Sequence, residues 1–79
     1  MTKAEYDPSA LKREYDLGYM AGIRQWREMR DETLSAQYRA SLKHNIQLME
    51  TGINDEYEMV ASYWRGYKAG YQKMEGKHD

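Results

Sequence analysis

Residues 15–22 read Tyr-Asp-Leu-Gly-Tyr-Met-Ala-Gly, and residues 63–70 read Tyr-Trp-Arg-Gly-Tyr-Lys-Ala-Gly. Both fit Y-x-x-G-Y-x-A-G, 48 positions apart. Each copy carries two glycines at i and i+4. A glycine inside a helix costs about 1 kcal/mol relative to alanine, so the four need a compensating contact. Positions i and i+4 share one helix face, and without side chains they leave a flat strip on which another backbone approaches closely. Tyr15, Gly18, Tyr19 and Gly22, with Tyr63, Gly66, Tyr67 and Gly70, are therefore assigned to tight helix packing, within the chain or across a dimer. The functional alternative is that one strip receives a partner or ligand. A single pair of copies is too few for a solenoid.

Hydrophobic periodicity places these copies on helices. Asp7-Pro8 reads as an N-cap followed by proline at the first helical position, with residues 1–6 expected to fray. The first helix is predicted over about residues 8–30, with Leu11, Tyr15, Gly18, Tyr19, Gly22, Ile23, Trp26 and Met29 in one sector. Leu34, Tyr38, Leu42, Asn45, Ile46 and Met49 form a second set. On one straight helix its centre lies about 140° away from the first. That predicts a break near Asp31-Glu32-Thr33, with Asp31 or Thr33 capping a second helix over about residues 33–51. A continuous helix is the alternative.

Gly52 suits the left-handed residue after a helix, with Ile53 folded back on Leu48. Asn54 or Asp55 is expected to start a third helix over about residues 55–75, Asp55 and Glu58 having capping-box spacing. Gly76 ends it. No segment shows strand alternation. The expected fold is all-α and a single domain: a small three-helix bundle, or a helical hairpin with a long first helix. On the third helix, Tyr57, Val60, Trp64, Tyr67, Tyr71 and Met74 follow a 3-4-3-4-3 seam. Met59, Tyr63, Gly66 and Gly70 form a second seam beside it. Two seams want two neighbours: the other two helices could supply both, or a second chain could supply one, and a homodimer is expected.

Composition narrows the function classes. Leu, Ile, Val and Phe together are 9 of 79 residues, and 8 Tyr, 6 Met and 2 Trp make up the shortfall. A net charge of -1 argues against full disorder. With no Cys there is no disulfide framework, zinc–thiolate site or thiol nucleophile. No apolar run is long enough for a membrane span and the first residues have no apolar signal core, so a cytoplasmic protein is expected. Twelve basic against 13 acidic residues give no global pull toward nucleic acid or anionic membrane.

No catalytic, cofactor or metal site is expected. His44 and His78 lack partners at ligand spacing, and Ser9, Ser35, Ser41 and Ser62 sit in no nucleophile motif. The acidic pairs Asp31-Glu32 and Asp55-Glu56 fall at predicted helix starts. Glu50, Asp55, Glu56 and Glu58 make an acidic knuckle without compensating bases. The candidate partner-binding face is Arg13, Leu17, Met20, Arg24 and Arg27, one sector of the first helix away from the Gly and Tyr stripe. Met and Arg are enriched at protein interfaces, and Leu17 and Met20 have no internal use on this reading. A solvated charged face with two incidental apolar residues is the alternative.

Gly18-Tyr19-Met20-Ala21-Gly22-Ile23 resembles the G-Y-x-A-G stretch on the first helix of bacterial ribosome modulation factor. Tyr63-Trp64-Arg65-Gly66-Tyr67-Lys68 is similar to the aromatic-x-x-Gly-aromatic-basic stretch on that family's second helix. The resemblance implies helices packed as a hairpin and binding to the small ribosomal subunit. Gln25 stands where the family has another glycine, the family's Cys-Pro turn is absent, and an extra helix separates the two segments. That family is also strongly basic. The first expectation for function is a small non-enzymatic protein-binding module, such as the inhibitors and accessory proteins that phages turn on host machinery. The alternatives are a ribosome- or RNA-associated factor and a structural assembly subunit.

Overall fold

Asp7 turns the chain into its first helix. Its carboxylate accepts the Ser9 N–H at 2.9 Å, and Pro8 takes the first helical position, where no N–H is needed. The same N–H holds the Asp7 carboxyl below the usual carboxylate range. The computed structural model describes residues 7–76. It contains α1 (Pro8–Met29), α2 (Ala36–Gly52) and α3 (Glu58–Gly76), with no strand among the described residues. The fold is an all-α three-helix bundle. Residues 1–6 and His78, read from sequence as frayed and as solvated, lie outside the described residues.

The break between the first two helices falls where their stripes diverge, but neither Asp31 nor Thr33 caps α2. Ser35 does, its hydroxyl accepting the Tyr38 N–H at 3.1 Å. Asp31 instead folds the connection. Its carboxylate accepts the Thr33 N–H at 2.9 Å and also the Thr33 hydroxyl, and these bonds lower its pKa. Arg30 closes α1 by stacking its guanidinium on Trp26, 3.8 Å from the ring centroid.

Gly52 is not a left-handed cap. No described glycine has positive φ, and α2 includes Gly52 itself. The missing side chain makes room for an aromatic ring: a Cβ on Gly52 would run into the Trp64 indole, with Nε1 at 2.9 Å. α3 also begins later than the capping-box spacing suggests. Asp55 accepts the Tyr57 N–H at 2.9 Å, a turn ahead of the helix, and the helix starts at Glu58.

The two repeat copies meet each other. A Cβ on Gly18 would clash with the Tyr63 carbonyl, and one on Gly66 with the Tyr15 carbonyl. Gly22 stands in the same relation to Tyr67, and Gly70 to Tyr19. Adding 48 to one member of a pair and subtracting 48 from the other reproduces the partner pair, so the contact has local two-fold symmetry. Register rises together on both helices, so α1 and α3 run parallel. Backbones this close bring glycine Cα–H groups onto carbonyl oxygens, contacts that add to the dispersion gained.

α2 runs antiparallel to both and covers one side of the pair. Glu50 bridges to Lys68 at 3.0 Å, and Tyr38 donates to Glu28 at 3.1 Å. Leu42 and Met49 are its buried residues, and with Trp26, Ala61 and Tyr67 they form the apolar core. The tyrosine seam predicted on α3 is therefore only partly internal. Tyr57 and Val60 are exposed, and the helix buries Ala61, Gly66, Tyr67 and Gly70. Tyr15 is exposed too, because its backbone carbonyl, not its ring, makes the close contact.

Candidate functional site

Among the described residues, one polar side chain is buried, at the junction of the three helices. Gln25 is 3% exposed; its Nε2 donates to the Leu42 carbonyl at 2.6 Å and its Oε1 accepts the Tyr67 hydroxyl. Burial, then the neighbouring Tyr63, pushes the Tyr67 phenol well above its ordinary range. Arg24 nearby acts the other way. The small cleft here is lined by Gln25, Glu28, Tyr38, Asn45 and Tyr67 among others. Gln25 and Tyr67 spend their hydrogen bonds on joining helices, so this polar cluster is structural. In the sequence Gln25 stands out only as a departure from a family pattern; a lone polar residue 7 positions after Gly18 carries no local signal of burial.

The outer face of α1 has a different character. Arg13, Leu17, Met20, Arg24 and Arg27 follow one another at 4-3-4-3 spacing, a straight seam along the helix. Met20 is 67% exposed and Leu17 54%. Four of the five residues, all but Arg13, line an open hollow of about 550 Å³ together with Ala21, Ile23 and Tyr63. In the sequence Ile23 belongs to the apolar sector of the first helix and Tyr63 to a glycine–tyrosine strip. Both are half-buried and so serve the core and the wall of the hollow at once. Arg24 lines this hollow and the central cleft.

The charges on this face are not locked in close ion pairs. Arg13, Arg24 and Arg27 form none among the described residues, although Arg13 lies near enough to Asp7 to help lower its pKa. Elsewhere Lys12 pairs with Asp16, Arg65 with Glu58 and Lys68 with Glu50, while Lys73 lies over the Tyr19 ring. The acidic knuckle is engaged within the chain: Glu50 and Glu58 in those ion pairs, Asp55 at the Tyr57 N–H.

No group of three or more His, Asp or Glu side chains able to hold a metal occurs among the described residues. His44 is exposed on α2. Ser41 and Ser62 donate to the backbone carbonyls of Tyr38 and Leu11, at 2.6 and 2.7 Å, and Ser35 is the α2 cap. No described helix is long and apolar enough to cross a membrane. No protein-family model, curated protein or solved structure matches the chain.

Proposed function

We propose that this chain is a non-enzymatic protein-binding module, of the inhibitor or accessory kind, that docks through the outer face of α1. The observation that carries the reading is the exposure of Leu17 and Met20 between three arginines that form no ion pair among the described residues. In a chain with so few apolar residues, Leu17 and Met20 stand mostly in solvent on one helix face and add little to the core. Apolar anchors ringed by Arg are a composition that protein interfaces favour.

A ribosome-associated role has less behind it. Six of the residues that carry that resemblance, Gly18, Tyr19, Gly22, Tyr63, Gly66 and Tyr67, are taken up in the α1–α3 contact or its aromatic surround. The strips also account for each other inside one chain, so self-association would need another surface.

The test is site-specific photo-crosslinking in cells. A benzophenone side chain at position 20 should give a discrete protein adduct, and the same group at position 72 on α3 should not. The adduct should disappear when Arg24→Glu and Arg27→Glu are added. Identical adduct patterns from positions 20 and 72, or none from either, would overturn the proposal.

A further inference from the structure

We infer that the occupant of the α1 face is an acidic amphipathic helix of a second protein, with two successive apolar seam positions flanked by carboxylates. This rests on the docking role proposed above and names the chemistry of the partner.

Geometry selects a helix. The backbone groups of α1 are used within the helix, so no sheet edge is offered to an extended strand. What is offered is a 4-3-4-3 row of side chains, into which a second helix packs its own ridge. From Leu17 to Arg27 the row is about 15 Å long, or close to three turns. Tyr63 walls one side of the hollow and Ile23 contributes apolar surface.

Charge selects the sign. Reading along the seam gives Arg, Leu, Met, Arg, Arg. Cations at seam positions repel a basic ridge, lose hydration without compensation against a purely apolar one, and favour carboxylates opposite them. The outer faces of α2 and α3 carry Lys43, His44, Arg65 and Lys73 beside Glu50 and Glu75, so neither presents an apolar seam flanked by carboxylates, which points to another protein and not to a second copy.

A designed 21-residue helical peptide tests this directly. Its seam carries two leucines flanked on both sides by glutamates, and a control peptide replaces each glutamate with lysine. Each is titrated into the 15N-labelled full chain at low salt. The acidic peptide should bind saturably, shift the amides of residues 13–27, and weaken as salt rises. Arg24→Glu with Arg27→Glu should weaken it about tenfold or more and let the lysine peptide bind instead. The proposal is overturned by no saturable binding, by equal binding of both peptides, or by shifts centred on Arg39 and Lys43. Tighter binding to an RNA oligonucleotide or to vesicles of anionic phospholipid than to the acidic peptide would also overturn it. A position-20 crosslink to a protein without acidic-peptide binding would retain the docking role and remove this inference alone.

Discussion

The Tyr67 hydroxyl bonds to Gln25 in one groove of the α1–α3 pair, while the two-fold counterparts of those residues, Tyr19 and Lys73, meet in the other. The backbone contact between the helices is nearly symmetric, so its geometry alone does not say which groove α2 fills. These two pairs do. A buried amide there accepts from a tyrosine hydroxyl and donates to the Leu42 carbonyl. A lysine at the equivalent place would have to lose its hydration, at several kcal/mol. It stays exposed, 5.8 Å from the Tyr19 centroid, and the groove stays open.

Replacing Gln25 with leucine removes the bond that the Tyr67 hydroxyl donates and the second bond that the Leu42 carbonyl accepts beside its helix bond, and it cuts this link between the three helices. The expected loss is about 2–4 kcal/mol. Urea unfolding measures it, and amide exchange should rise first along α2. An unchanged midpoint would show that Gln25 is incidental.

Gly66→Ala pits helix propensity against space. Propensity favours alanine by about 1 kcal/mol. The Tyr15 carbonyl occupies the place of the new methyl, and forcing helices apart costs about 1–3 kcal/mol or more. A net fall in Tm is expected, and Gly18→Ala should match it because the sites are symmetry mates. Gly76→Ala, with nothing within 4 Å, should leave Tm unchanged or slightly higher.

Gly52 separates two explanations for a glycine at a helix end. If left-handed φ were the reason, asparagine would be tolerated better than alanine. The indole of Trp64 is the reason here, so both substitutions should destabilise, asparagine at least as much. Thermal melts of the two variants decide it.

Alkaline pH should destabilise the protein through Tyr67. Its folded pKa is raised above the unfolded value of about 10. Folding stability is then fully present below pH 10 and falls as pH rises above it, by up to about 1.4 kcal/mol per pH unit for one group. Tyr67→Phe should start less stable at neutral pH and lose less per unit above pH 10. Equal slopes in denaturant titrations at several pH values would contradict this.

The α1 face should be dispensable for folding. Leu17→Ser with Met20→Ser changes exposed positions away from the core, so stability should move by no more than about 0.5 kcal/mol per site. Matching denaturation curves would confirm that any binding defect of these variants is a surface effect.

Local chemistry explains what sequence alone determined. The Asp7-Pro8 start, the helical class, the divergence of stripes at residue 31 and the exposed row from Arg13 to Arg27 all follow from side chains within a few positions of each other. The glycine strips were legible as close-approach surfaces because a helix tolerates such residues only against a neighbour. Tertiary structure decided the rest. It paired the two repeats in parallel, set Gly52 against Trp64, moved Tyr57 and Val60 into solvent, and buried Gln25. Each of these depends on an atom many residues away, and in the last case on the difference between an amide and an ammonium at two-fold related positions.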